Sequence, residues 1–194
     1  MNIVYGITGG VGMGKTTVAK IIEESGFAVI DSDDISRELV EPGRPALKEI
    51  RTVFGDEFIG SDGQLDRPRM AELVFDSSDA RTKLEEILHP RVRESWQASI
   101  EKWQVAGKSG VVIVPLLFEV GAQGCFNTIL CVACTGETQR QRLRERGWSD
   151  KHIGKRIAAQ MPIEEKMHLS DHVIWNEGDL ESLHAQLTQS GCIE

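Results

Sequence analysis

An α/β fold on a five-stranded parallel sheet is the class this sequence predicts, and three observations predict it. Short continuous apolar runs alternate with segments of helical period. The first run feeds a glycine-rich loop that opens a helix. The other runs lead into polar or acidic residues at their carboxyl ends, the edge at which open parallel sheets take ligands. The chain has 194 residues, 40% hydrophobic and 27% charged, enough for one compact domain with insertions and a full core.

Ile3 to Ile7 is the first strand, and Gly9-Gly10-Val11-Gly12-Met13-Gly14-Lys15-Thr16 follows it. This is G-x-x-x-x-G-K-[ST] between a strand and the helix that carries Thr17-Val18-Ala19-Lys20-Ile21-Ile22. Glycines let successive backbone N–H groups turn inward, and the first helical turn near Lys15 adds the positive end of its dipole, so Val11 to Thr17 can grip phosphates. Lys15 reaches the β and γ phosphates as a point charge, and the Thr16 hydroxyl ligates Mg²⁺. The fold class narrows to a three-layer P-loop NTPase, and the ligand to a nucleoside triphosphate.

Glu23-Glu24-Ser25-Gly26 stops the first helix, with Gly26 suited to the C′ position. Phe27 to Ile30 reads as the second strand and ends in Asp31-Ser32-Asp33-Asp34. Asp31 and Asp33 share a face if the extended conformation persists that far, and Asp34 can N-cap a helix from Ile35 to Glu41. From Glu41 to Gly110 the pattern is helical: Pro45 to Phe54, Pro68 to Phe75, Asp79 to Leu88, and Pro90 to Val105 with Trp96 and Trp103. Gly60-Ser61-Asp62-Gly63 supplies a turn. So long an insertion suggests an acceptor-binding subdomain, with Arg67, Arg91 and Arg93 as phosphate contacts.

Val111 to Val114 is the third strand and runs into Pro115-Leu116-Leu117-Phe118-Glu119, which puts Glu119 at the ligand edge. Thr128 to Cys134 is the fourth. Residues 137–156 then hold seven basic side chains against three acids, a local balance of +4 in a chain of net charge −8. Gln139, Arg142 and Arg146 share one helical face, and Arg156 and Gln160 share a face of the next helix, after Ser149. Two arginine-bearing segments joined at Gly147-Trp148 read as a lid over phosphates. His172 to Trp175 is the fifth strand, ending at Asn176-Glu177-Gly178 before a helix from Leu180 to Gln189.

The net charge of −8 repels polyanions, so nucleic acid is not an expected partner. No run approaches the roughly 18 apolar residues of a membrane span and no signal-like segment opens the chain, which gives a cytoplasmic expectation. Cys131 and Cys134 form a C-x-x-C whose odd spacing on a strand points the thiols to opposite faces, so Cys125, Cys131, Cys134 and Cys192 are read as small core hydrophobes. His168 and His172, four apart, could share a helical face, but no third ligand accompanies them.

The residues that carry a family likeness are Thr8 to Gly12, Gly14-Lys15-Thr16, Asp31-Ser32-Asp33, Glu41-Pro42-Gly43, Phe54-Gly55, Asp62 to Arg67, His89-Pro90, Pro115 to Glu119, Gln139 with Arg142 and Arg146, Arg156-Ile157 with Gln160, and Asn176 with Gly178. Along essentially the whole chain this set resembles the dephospho-coenzyme A kinases. The resemblance implies ATP-dependent phosphorylation of the ribose 3′-hydroxyl of dephospho-coenzyme A, the last step of coenzyme A synthesis, by a monomer or small homo-oligomer. It implies a nucleotide core of residues 1–33, 111–136 and 171–194, an acceptor insertion of 34–110 and a lid of 137–170. Lys15, Asp33 and Arg142 would be catalytic. Arg142, Arg146, Asn176 and Gly178 would join Val11 to Thr17 on ATP, with Asn176 to Gly178 bordering adenine. Asp33, Arg67, His89, Arg93, Leu116 and Glu119 would meet the acceptor, and Asp31 or Glu119 would hold metal-bound water near Thr16. Met13, Ser32 and Ser170 depart mildly from the family pattern and remove no needed group. A kinase of similar build acting on a nucleotide or sugar acid is the alternative. A GTPase switch would need Asp-x-x-Gly and Asn-Lys-x-Asp, and the chain has neither.

Overall fold

The computed structural model describes residues 3–193. Five strands, β1 (Val4–Gly9), β2 (Ala28–Asp31), β3 (Gly110–Ile113), β4 (Thr128–Ala133) and β5 (His172–Trp175), form one parallel sheet in the order β2-β3-β1-β4-β5. β1 is central and buried along its whole length, which is why Val4 to Ile7 read as an unbroken apolar and glycine run. Tyr5 lies level with Val111 on one side and Thr128 on the other. The chain leaves β1 toward one edge of the sheet and β4 toward the other. Their carboxyl ends therefore border the crevice where such sheets bind ligands.

Strand alternation sorts the two faces. Tyr5, Ile7, Val111, Ile113, Leu130 and Val132 pack with Val18 and Ile22 of α1 (Lys15–Glu24) and with Leu183 and Leu187 of the C-terminal helix (Leu180–Gln189). Thr8, Cys131 and Ala133 point the other way. Ala133 meets Met167 of a short helix, Ile163–Leu169. That helix has no counterpart among the elements expected from the sequence, because its seven residues offer barely two turns of periodicity. It also separates the two histidines, His168 being helical and His172 in β5, so they share no helical face.

By contacts the chain divides in two: residues up to Asp31 with those from Ile100 onward, and Ser32–Ser99. The second unit has its own core, in which Val40, Ile50, Phe58, Met70 and Ile87 are buried. It comprises α2 (Ser32–Leu39), α3 (Pro45–Phe54), α4 (Arg67–Asp76) and most of α5 (Ser78–Val105). Its bounds differ from the expected 34–110, because α2 starts at Ser32 and the last turns of α5 belong with the sheet, where Trp103 lies against Gly110. Residues 137–170 fall within the first unit.

Two helical expectations need correction. The break foreseen at Pro90 does not occur: α5 runs unbroken through it for 28 residues. Ile87 and Trp96 are buried on either side of the proline, and Arg91 Nη1 donates to Ile87 O at 2.5 Å. The burial of Ile87 and Trp96 offsets the backbone bond that Pro90 cannot make to Glu86 O. Nor is Asp34 a cap. With α2 beginning at Ser32, Asp34 lies inside the first turn, where it pairs with Arg37.

Candidate active site

The loop between β1 and α1 is shaped by what its glycines permit. Gly9 leaves β1 at φ 139°, and a Cβ there would stand 2.2 Å from Val132 O of the neighbouring strand. Gly14, at φ 95°, caps α1, and a Cβ there would meet Nδ2 of Asn176 at 1.9 Å. Only glycine satisfies both the conformation and the space. Lys15 Nζ donates to Gly9 O at 2.9 Å and Gly10 O at 3.0 Å, which folds the ammonium over the loop. α1 begins directly after the loop, so the positive end of its dipole lies at these glycines.

Three further elements hold this loop. Asn176, buried just after β5, donates Nδ2 to Met13 O at 2.9 Å. Val11 is clasped on both sides: its N–H donates to Gln160 Oε1 at 2.9 Å, and its carbonyl accepts from Gln139 Nε2 at 2.8 Å. Gln139 lies on α6 (Gly136–Glu145), capped by Thr135. Gln160 lies beyond the end of α7 (Asp150–Ala158), so it does not share a helical face with Arg156 as expected. Arg146 likewise is the C-cap of α6 and not a residue of its body. Met13 gives more than its backbone: its side chain is buried against Ala133 and Cys134.

Arg142 of α6 reaches across to donate Nη2 to Asn176 O at 2.9 Å. Its other terminal nitrogen, Nη1, is buried with no hydrogen-bond partner and lies 3.8 Å from where a Cβ on Gly14 would be. A buried guanidinium nitrogen without an acceptor is costly, and an anion at the loop would supply one. A cavity of about 450 Å³ opens here, lined by Gly12, Gly14, Thr17, Arg142, Arg146, Asn176 and Gly178. Glu145, Asp179, Leu180 and Leu183 complete its wall. These four escaped the sequence reading, although Asp179 carries a cap signal and does cap the C-terminal helix, α9, accepting from Ser182 N at 2.8 Å. Beside the cavity Glu177 accepts from Thr135, and that hydroxyl holds its carboxyl below the usual range.

The remaining expected residues divide between the two units. Leu116 and Glu119 follow β3. Glu119 accepts from Met161 N at 2.9 Å and pairs at 2.8 Å with Lys166 of α8, the helix Ile163–Leu169. Asp33, Arg67, His89 and Arg93 all belong to the helical unit. His89 and Arg93 are four apart on α5, on one face of it. Arg67 opens α4 and donates Nη2 to Arg37 O at 3.1 Å, while Arg91 is committed to Glu49 at 2.6 Å. β2 stops at Asp31 and α2 starts one residue later, so Asp31 and Asp33 do not share an extended face. The helix places Asp33 in its first turn, where the dipole favours a carboxylate.

None of the four cysteines is in a disulfide. Burial pushes the Cys131 thiol up to about 11 and raises Cys134 as well. No group of three or more His, Cys, Asp or Glu that could hold a metal occurs among the described residues, and no helix there is long and apolar enough to cross a membrane.

Comparison with known proteins gives a consistent result. The family model for dephospho-CoA kinase (CoaE) matches residues 3–182. A dephospho-CoA kinase of Bacillus anthracis is 41% identical over 189 residues, covering 96% of this chain and 94% of the relative. A solved Thermus thermophilus protein is 34% identical with a TM-score of 0.82, over 97% of this chain and 95% of that one. The dephospho-CoA kinase of Campylobacter jejuni shares the fold, with a TM-score of 0.72 at 24% identity over 97% and 95% of the two chains.

Proposed function

Because this chain belongs to the dephospho-CoA kinase family, we propose that it transfers the γ-phosphoryl group of ATP to the ribose 3′-hydroxyl of dephospho-coenzyme A, releasing ADP and coenzyme A. The observation that carries the phosphoryl-transfer reading is Arg142 Nη1, buried without a partner beside Gly14 at the mouth of the phosphate loop. The triphosphate lies on the first-turn amides of α1. Lys15 exchanges its bonds to Gly9 O and Gly10 O for β and γ oxygens, and Arg142 Nη1 takes an oxygen of the transferring group.

Thr16 at the start of α1 offers a hydroxyl and Asp31 at the end of β2 a carboxylate, oxygen donors of the kind a hard cation takes. Mg²⁺ held there would neutralise charge on the β and γ oxygens. Asp33, in the first turn of α2, accepts the proton of the attacking hydroxyl or orients it, since phosphoryl transfer passes through a loose transition state. Arg67, His89 and Arg93 on the helical unit, with Leu116 and Glu119 after β3, form the acceptor contacts of this reading. Cys131, Cys134 and Cys192, unpaired and buried, fit the reducing cytoplasm.

The test is ADP release from ATP and Mg²⁺ across a panel of acceptors including dephospho-coenzyme A, adenosine monophosphate and gluconate. Dephospho-coenzyme A gives the highest kcat/KM. A far higher value for a nucleotide or sugar acid overturns the assignment of the acceptor.

A further inference from the structure

One charged group is fully buried and has no part in the mechanism above. Lys166, in the middle of α8, has no exposed surface, and no other Lys, Arg, Asp or Glu among the described residues is buried. An ammonium taken out of water is retained only against well-placed acceptors. Lys166 has two: Nζ donates to Pro115 O at 2.6 Å and to Glu119 Oε1 at 2.8 Å.

Both acceptors lead to the phosphate loop. Pro115 O also accepts from Thr8 Oγ1 at 3.2 Å, and Thr8 is the residue before Gly9. Glu119 Oε1 also accepts from Met161 N at 2.9 Å, which fixes the backbone next to Gln160. Gln160 in turn holds the N–H of Val11. The ammonium thus grips the two backbone segments that support the loop at Thr8 and at Val11.

We propose that Lys166 is a positioning residue of the kinase: its buried ammonium, shared between Pro115 O and Glu119, holds the connection after α7 so that Gln160 sets the backbone of Val11 in the phosphate loop. The inference rests on the kinase reading of that loop. An ammonium buried for stability alone would not transmit to Val11. Burying the Lys166 ammonium costs free energy that a well-packed apolar side chain would not, which favours a role for it beyond stability. Lys166 can act only through its neighbours, since Pro115 O and Glu119 occupy its head group.

The experiment compares wild type, Lys166→Met, Gln160→Ala and the double variant, reading kcat and KM for ATP together with amide hydrogen exchange at Val11 and, as a core reference, Ile22. Lys166→Met is expected to lower kcat about tenfold with little change in KM, and to speed exchange at Val11 but not at Ile22. The double variant should lose no more kcat than the worse single variant, because both changes break one chain of contacts. A loss in the double variant equal to the product of the single losses overturns the proposal. So does unchanged Val11 exchange in folded Lys166→Met. If Lys166→Met does not fold, Glu119→Gln takes its place in the same cycle with Gln160→Ala, judged by the same criteria. Wild-type turnover of dephospho-coenzyme A is the control. Its absence contradicts the kinase reading, while the exchange of Val11 still decides the role of Lys166.

Discussion

Arg142 and Asn176 are joined by a hydrogen bond from the guanidinium Nη2 to the main-chain oxygen of the asparagine at 2.9 Å. Asn176 passes the contact on, its amide donating to Met13 O. The arginine of α6, the end of β5 and the phosphate loop are therefore one bonded unit, and Arg142 presents Nη1 toward the loop with its orientation already set.

On the proposed mechanism, that orientation suits Arg142 to the transition state. Arg142→Ala is expected to lower kcat by more than it raises KM for either substrate, since a preset donor contributes most where charge develops. Arg140→Ala, which removes an exposed side chain two residues away, leaves kcat within about twofold. Steady-state kinetics on the two variants checks this, and equal small effects would return α6 to a solvated basic face.

Lys15→Ala removes the ammonium that bonds the loop carbonyls and, on the proposed mechanism, meets the phosphates. The expected loss is about 3 kcal/mol of transition-state stabilisation, on the order of 10²-fold in kcat/KM, with circular dichroism unchanged. Wild-type turnover in the folded variant would rule out the phosphate-loop role.

Asp33 and Asp34 separate chemistry from local structure. Asp33→Asn is expected to lower kcat at least about tenfold while calorimetric ATP affinity stays the same. Asp34→Asn loses only an exposed pair with Arg37, on the order of 0.5 kcal/mol or less of stability, and no turnover. If Asp33→Asn loses activity because ATP no longer binds, the acceptor-side role is wrong.

The strands, the phosphate loop and the arginine helix were legible because each has a local cause: an apolar run, a glycine pattern, a 3.6-residue spacing. What escaped was set by tertiary packing. Pro90 reads as a helix break, yet buried side chains on both sides carry α5 through it. The acidic run after β2 reads as extended, yet α2 begins at Ser32. Lys166 could have been noticed as a lysine three residues after Ile163, on the apolar side of a short helix, but nothing local reveals that Pro115 and Glu119 await its head group. Asn176 to Gly178 are expected beside adenine, and no local pattern reveals that the Asn176 side chain also donates to Met13 O.

Thiol chemistry tests the burial of β4. Cys131, its pKa pushed up to about 11 by burial, and Cys134 should resist iodoacetamide at pH 8, leaving half-buried Cys125 to react first. Mass spectrometry should find one label on the native protein and four after denaturation. Early labelling of Cys131 would contradict the packing described for the sheet.

The central claim is a regiospecific phosphoryl transfer, and identification of the product tests it most directly. The protein incubated with ATP, Mg²⁺ and dephospho-coenzyme A is expected to yield a single product one phosphate heavier, with phosphorus NMR placing that phosphate on the ribose 3′-oxygen and one ADP formed per product. Phosphate found at any other position, or ADP formed with the acceptor unchanged, would contradict the account.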